Sequence, residues 1–550
     1  MKSPNEEKSF DVIIIGGGAT GAGVARDCSR RGLKTLLLER FDIATGATGR
    51  NHGLLHSGAR YAVTDPESAG ECIKENMILK RIASHCVEAT NGLFLTLPED
   101  DMAYQAKFVE ACKQAGIQAE VIDPALALRM EPAANPHLLG AVMVPDGSVD
   151  PFRLTAANMI DARDCGAEFL TYHEVIEVKI ENAKVVGLKT FDHKNHTTQE
   201  FRAEVVVNAC GIWSQHIAAL AGLQIKMLAA KGSLLIFGHR VNNMVLNRCR
   251  KPADADILVP GDTISLIGTT SYNIPFEEVD RLIVTPQEVD ILIQEGEKLS
   301  PILNQTRVLR AYAGVRPLVA SDADPTGRSV SRGIVLLDHA SRDGLEGLIT
   351  ITGGKLMTYR LMAEWATDLV CKKLNVSATC STAEVHLPGS RDNIDEITKK
   401  VFAMSSSHSY TPQKAAIYRH GDMAESIPEG SSLDNSLVCE CENVSVGEVK
   451  FALDKLNVKG LLDLRRRTRV GMGTCQGELC ACRASGLMVD NGKFCTKRAK
   501  EDLAAFMNER WKGVYPIAWG DTLRESEYAS WVYEGVCGMS LPLNQKTEEQ

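Results

Sequence analysis

The apolar positions change their spacing along the chain, and the changes mark out its elements. Val12-Ile13-Ile14-Ile15 is an unbroken β-branched run; glycines and an alanine-rich stretch follow, and then Thr35-Leu36-Leu37-Leu38. A strand-sized apolar run, a glycine turn, a helical segment and a second strand predict a βαβ unit between Phe10 and Glu39. Two later runs end in the same manner. Val205-Val206-Val207 enters Asn208-Ala209-Cys210-Gly211, and Leu348-Ile349-Thr350-Ile351 enters Thr352-Gly353-Gly354-Lys355. Small residues at a strand end let a ligand approach the backbone closely. Between these runs, alternating segments such as Leu234-Leu235-Ile236-Phe237 and Ile264-Ser265-Leu266-Ile267 predict a more antiparallel sheet. The order of the segments predicts an α/β fold made of two interleaved domains.

Ser, Pro and Gly gather over 377–393 and 405–436, around one helical patch over 393–404. The expected division is therefore an interleaved region over 8–376, a linker with a helical segment over 377–436, a small module over 437–500 and a tail over 501–550. That tail holds Trp511, Trp519 and Trp531, and the chain carries no internal repeat or sustained heptad.

With 550 residues, 44% of them hydrophobic, the chain can build several cores. Lys and Arg number 61 against 70 Asp and Glu, a net charge of -9, so no global basic field exists to gather nucleic acid. No apolar run approaches the roughly 20 residues that span a bilayer, and Met1 to Ser9 lacks the apolar segment of a signal peptide. A cytosolic location, and hence reduced thiols, is expected for the 16 cysteines. Those scattered along the chain read as small buried hydrophobes. Five crowd between 439 and 482 and require a separate explanation.

Gly16-Gly17-Gly18-Ala19-Thr20-Gly21 fits the G-x-G-x-x-G pattern: Gly16 permits the tight turn, Gly18 admits a pyrophosphate, and Gly21 lets helix and strand pack closely. The pyrophosphate would rest on the helix N-terminus, and Glu39 at the end of the second strand would accept hydrogen bonds from a ribose. A second small-residue loop, Ala44 to Gly53, follows directly and suits a longer cofactor, which favours FAD over a nicotinamide. The turn at Thr352 to Lys355 supports that choice, since amides from a distant strand can meet the flavin. Candidate contacts beyond Gly16, Gly17, Gly18, Ala19, Thr20 and Gly21 are Glu39, Arg40, Thr45, Thr48, Asn51, His52, Gly53 and Leu54. Ala209, Gly211, Gly353, Gly354 and Lys355 complete the set.

Cys439-Glu440-Cys441 and Cys475-Gln476-Gly477-Glu478-Leu479-Cys480 place four thiols in two tight turns, which suits either tetrahedral zinc or a [2Fe-2S] cluster. C-x-C is unusual for structural zinc, where C-x₂₋₄-C dominates. Arg465-Arg466-Arg467 and Arg469 precede the second pair and read as a solvated helix face, although positive charge there would also favour a reduced cluster.

Gly16 to Gly21, Glu39, His56-Ser57-Gly58-Ala59-Arg60-Tyr61, Gly314-Val315-Arg316-Pro317-Leu318 and Gly353-Gly354-Lys355 resemble FAD-dependent glycerol-3-phosphate dehydrogenases. The cysteine pattern, with Val470-Gly471-Met472-Gly473-Thr474-Cys475, resembles the bacterioferritin-associated-ferredoxin-like (BFD-like) [2Fe-2S] domain, whose spacing selects Cys439, Cys441, Cys475 and Cys480 rather than Cys482. Together with the tail from Trp511 to Gly520, these motifs make essentially the whole chain resemble the A subunits of anaerobic glycerol-3-phosphate dehydrogenases. The resemblance implies a Rossmann-like FAD-binding domain interleaved with a mixed or antiparallel substrate domain, plus a small C-terminal iron–sulfur domain. It further implies oxidation of sn-glycerol 3-phosphate to dihydroxyacetone phosphate by hydride transfer to FAD. Electrons would then pass through partner subunits B and C to menaquinone, with C anchoring the assembly to the cytoplasmic side of the inner membrane and FMN also present in the complex.

By the same resemblance Arg316 and Arg332 are substrate-contacting arginines, Lys355 is a cation beside the flavin, and Arg60 and Tyr61 lie near the ligand. An arginine fork suits a phosphate held at two oxygens. His56 is the candidate general base, because an imidazole titrates near working pH. Aerobic members of the family carry a histidine after a Lys-Gly-Ser turn, whereas this chain reads Lys231-Gly232-Ser233-Leu234, so no base is carried over from them. Two other readings stay open: a flavin-linked dehydrogenase or oxidase for an amino or 2-hydroxy acid, and an electron-transfer or redox-sensing protein without substrate turnover.

Overall fold

The computed structural model describes residues 8–319, 333–391, 393, 396, 411–428 and 431–540. The run at the start of the chain forms strand β1 (Lys8–Ile15), followed by helix α1 (Ala19–Arg30) and strand β2 (Thr35–Glu39). Its unbroken apolar character has a simple cause: both faces of β1 are covered. Val12 and Ile14 pack with Val24, Ala25, Ala363 and Ala366 of the helical layer, while Ile13 and Ile15 pack with Val178, Leu188 and Ile217 on the other side. Burying each such side chain contributes about 2 kcal/mol.

β1 lies parallel to both β2 and Thr197–Asn208, with Ile14 opposite Leu37 and Val207. Leu348–Gly353 extends the sheet, parallel to Thr197–Asn208, and Ile334–Asp338 adds an antiparallel edge beyond it. The three glycine- or alanine-bearing turns expected to approach a ligand thus leave neighbouring parallel strands at the same end, where α/β sheets bind ligands.

A second, nine-stranded sheet is antiparallel except where Val245–Arg248 runs parallel to Gly92–Thr96. Met227–Phe237 pairs with Ser265–Gly268 in the register Leu235 to Ile267 and, on its other side, with Val308–Val319. Helix Pro286–Leu299, opened by a Thr285/Glu288 capping box, packs Leu292 and Leu299 into the sheet's core. In chain order the strands alternate between the two sheets, so the domains are interleaved, as expected.

The expected linker is described only in part. Over 377–391 it is tied down: Arg26 donates to the carbonyls of Thr382 and Val385, and the Leu387 amide donates to the Ile82 carbonyl at 2.8 Å. Most of the helical patch expected over 393–404 lies outside the described residues.

The cysteine module consists of a short hairpin, Leu437–Cys439 with Val444–Ser445, and the helices Val446–Lys455, Leu461–Thr468 and Cys480–Asp490. Helix Thr496–Val514 runs straight through the boundary expected at 500. Phe506 of that helix sits in the module's core, and Ile517 beyond it sits in the core of the nine-stranded sheet. The tail is a clasp between domains rather than an appendage.

Candidate functional site

The glycine turn after β1 is shaped by approaches that a side chain would block. Gly16 has φ +111°, and a Cβ there would stand 2.7 Å from the Ala209 carbonyl oxygen; at Gly21 it would stand 1.9 Å from the Gly16 oxygen. Gly18 is the N-cap of α1 and lines the cavity with no side chain of its own, so the positive end of the helix lies at the cavity's edge. Thr48 from the second loop accepts from the Ala19 amide at 3.0 Å, tying the two loops together. Glu39 is fixed by the amides of Gly17 and Phe41, at 2.7 and 2.9 Å; burial pushes its carboxyl up, while those amides pull it back down.

These loops edge a cavity of 1660 Å³, well above the about 300–1,000 Å³ usual for a small ligand. Nearly every expected flavin contact lines it, including Glu39, Arg40, Thr45, Asn51, Leu54, Ala209, Gly211 and Gly353. Gly17 and Gly21 stand behind the wall, and Gly53 borders a second cavity instead. Asn51 holds its loop by donating to the carbonyls of Ala47 and Thr48 and accepting from the Gly53 amide. Gly353 and Gly354 both have positive φ, and a Cβ on Gly354 would meet the Met362 sulfur at 2.5 Å.

Most of the expected substrate residues line the same cavity. His56, 7% exposed, has its ring centroid 5.4 Å from that of Tyr61, and Lys355 Nζ lies 4.5 Å above the Tyr61 ring. Arg316 crosses the strand Met227–Phe237 at Gly232, where a Cβ would come within 2.8 Å of its Nη2. It donates to Thr269, to Ser271 Oγ at 3.3 Å and to the Thr270 carbonyl at 3.1 Å. Arg60 also lines the cavity but is drawn toward Asp256 at 3.1 Å and the Ala253 carbonyl. Arg332 lies outside the described residues.

Residues that sequence reasoning did not single out complete the site. Trp213 packs under Gly46 and holds Arg40 against its ring. Thr269 and Ser271 set the Arg316 fork; the polar triplet Thr269-Thr270-Ser271 closing an apolar strand was the available signal. Lys231, Ser233 and Glu288 form a buried cluster in which Glu288 accepts from both partners at 2.7 Å. Burial raises the Glu288 carboxyl, but Lys231, the Thr285 amide and Ser233 together hold it below its usual range.

The four expected thiols come together. Cys439 and Cys480 are within hydrogen-bonding reach of each other, as are Cys480 and Cys475, and Cys475 and Cys441. Donation by Cys480 and Cys441 holds the Cys439 and Cys475 thiols below their usual range, and the same pairings push the Cys441 and Cys480 thiols up. Among the described residues no three His, Cys, Asp or Glu side chains converge on a metal-ion point; the thiols form a chain of neighbours. Cys482 lies instead beside Cys537. Gly471 and Gly477 wrap Phe506, where a Cβ on either would come within 2.7 Å of the ring.

The arginines before the second cysteine pair are not a solvated face. Arg467 is buried and binds Asp42 at 2.6 Å, Arg466 reaches the same carboxylate at 3.0 Å, and Arg469 binds Glu442 and Asp262. They fasten the module to the interleaved domains.

Comparison with known proteins finds two matching families. The family described as FAD dependent oxidoreductase matches residues 11–360, and the BFD-like [2Fe-2S] binding domain matches residues 437–488. The chain is 64% identical to the A subunit of the anaerobic glycerol-3-phosphate dehydrogenase of Escherichia coli (strain K12) over 534 residues, covering 97% of this chain and 98% of that one. It is 63% identical to the protein of the same name from Haemophilus influenzae over 543 residues, covering 98% and 96%. A glycerol-3-phosphate dehydrogenase from Bacillus halodurans complexed with FAD has the same fold, with a TM-score of 0.72 and 22% identity over 94% of this chain and 97% of that one. The glycine cradle and the four thiols accordingly fit FAD and a [2Fe-2S] cluster.

Proposed function

Given that the chain belongs to the family of anaerobic glycerol-3-phosphate dehydrogenase A subunits, we propose that it oxidises sn-glycerol 3-phosphate to dihydroxyacetone phosphate. FAD supplies the acceptor for the C2 hydride, and the [2Fe-2S] centre supplies a one-electron outlet for the reduced flavin. The protein's part is to hold the substrate and move one proton. Arg316 binds the phosphate through its fork, and Lys355, kept over Tyr61, adds a second positive charge. His56 takes the hydroxyl proton as the carbonyl forms, and the low exposure of that corner keeps water from the reacting carbon. The observation that supports this reading is that Arg316, Lys355, Tyr61 and His56 line the same cavity as the glycine cradle.

The A-subunit designation of its relatives supports a place in a multi-subunit complex. No described helix is long and apolar enough to cross a membrane, so attachment at the cytoplasmic face of the inner membrane falls to partners. Subunits B and C would carry the electrons on to menaquinone. Trp519, Tyr528 and Trp531, the last 70% exposed, offer aromatic surface for the first of those contacts.

Anaerobic titration of the FAD- and cluster-loaded chain with glycerol 3-phosphate tests the reaction. The yellow flavin band should bleach and a reduced-cluster paramagnetic signal should grow with it; an unbleached flavin rejects the assignment.

A further inference from the structure

Gly232 lies beneath the Arg316 guanidinium, and its neighbours Lys231 and Ser233 point the other way, because successive side chains leave a strand on opposite faces. On that reverse face both donate to one carboxylate, Lys231 Nζ to Glu288 Oε2 and Ser233 Oγ to Glu288 Oε1. Thr270 joins them from the neighbouring segment. Its hydroxyl accepts from the Ser233 amide at 3.0 Å and donates to Glu288 Oε1 at 3.3 Å. The carbonyl of the same Thr270 is one of the acceptors that hold Arg316 Nη2. Glu288 thus ties down both the strand beneath the guanidinium and the segment whose Thr269 and Ser271 hold it from the side.

The two sets of residues are divided by a wall. Gly232, Thr269, Ser271 and Arg316 line the flavin cavity, whereas Lys231, Ser233, Thr270 and Glu288 do not line it and are all buried. A carboxylate in that position is costly unless its charge is met. Here it is met three times. Glu288 stands in the first turn of helix Pro286–Leu299, where the helix favours negative charge; the Thr285 amide donates to it at 2.9 Å, and Lys231 pairs with it at 2.7 Å.

We propose that Glu288 is a positioning residue for phosphate binding: through Thr270 and the strand at Gly232 it fixes the pose in which Arg316 meets the substrate. The proposal rests on the assignment of Arg316 to the phosphate of glycerol 3-phosphate. A guanidinium fork grips two phosphate oxygens only when its plane is set, and a small displacement of such a group, caused from outside the cavity, is enough to weaken binding.

Stopped-flow bleaching of the bound flavin by glycerol 3-phosphate, in the FAD- and cluster-loaded chain, tests this through a cycle of single and double substitutions. Glu288→Gln leaves one acceptor oxygen where there were two, and should raise the half-saturating substrate concentration about tenfold while the limiting rate changes less than about twofold. Added to Arg316→Ala, the same substitution should shift half-saturation less than about twofold, because the pose it sets is gone. Thr270→Val should raise half-saturation about fivefold and Thr270→Ser should restore it; this pair, also placed in the Arg316→Ala background, decides the matter should Glu288→Gln fail to fold. Unchanged half-saturation, a loss confined to the limiting rate, or equal shifts with and without Arg316 overturns the proposal and leaves the Arg316 assignment standing. A wild-type flavin that does not bleach, or Arg316→Ala without effect on half-saturation, overturns both.

Discussion

In the flavin cavity the contact atoms belong to the backbone, and glycines are present because a Cβ would collide with another strand; in the cysteine module the contact atoms belong to side chains, and the glycines serve to wrap a phenyl ring. The two regions therefore fail differently. The first should be destroyed by adding a single carbon far from any functional group. The second should tolerate small changes around its ligands and fail when a sulfur is lost.

The sharpest way to break that contrast is at its two extremes. Gly21→Ala inserts a methyl group 1.9 Å from the Gly16 oxygen, and purified protein should lose essentially all FAD absorbance. Cys475→Ser should remove the iron while FAD remains at one per chain; glycerol 3-phosphate should still bleach the flavin, and reduction of one-electron acceptors should stop. If this variant also loses FAD, the regions are not independent. Within the flavin cavity, Arg316→Ala should raise KM for glycerol 3-phosphate about a hundredfold, ~3 kcal/mol, with FAD content unchanged.

A smaller effect concerns the charge that holds the module together. Glu448 is buried against Arg419 and His420, at 2.5 and 2.8 Å. Burial raises its carboxyl, but these partners outweigh burial and hold it down at about 2, from 4.5. A carboxyl lowered by folding stabilises fully above the unfolded value and loses that contribution as pH falls from 4.5 towards 2, about 3 kcal/mol in all. Denaturant unfolding of the module should show this acid loss, and Glu448→Gln should flatten it. Smallest, Trp531→Ala should weaken assembly with partner subunits about tenfold, with flavin bleaching unaltered.

The same contrast explains what could be read from the sequence. Gly16, Gly18 and Gly21 declare themselves because turn, helix start and strand end are local, and short periods survive in a linear string. The thiol pairs do so because two close spacings define the centre. Lys231 and Glu288 gave no such signal, since they meet only when a helix docks on a sheet. The arginines from 465 to 469 were misleading for the same reason: their helix looks polar, and only Asp42, at the other end of the chain, reveals that most of that face is covered. Arg316 was legible as a candidate by resemblance, whereas the dependence of its pose on Gly232 belongs to the register of two paired strands.

Ile517, which follows the cysteine module in sequence, sits in the core of the nine-stranded sheet. The domain that holds Arg316 thus borrows part of its interior from beyond the four thiols, and a cut between helix Thr496–Val514 and Ile517 would leave a hole in that sheet.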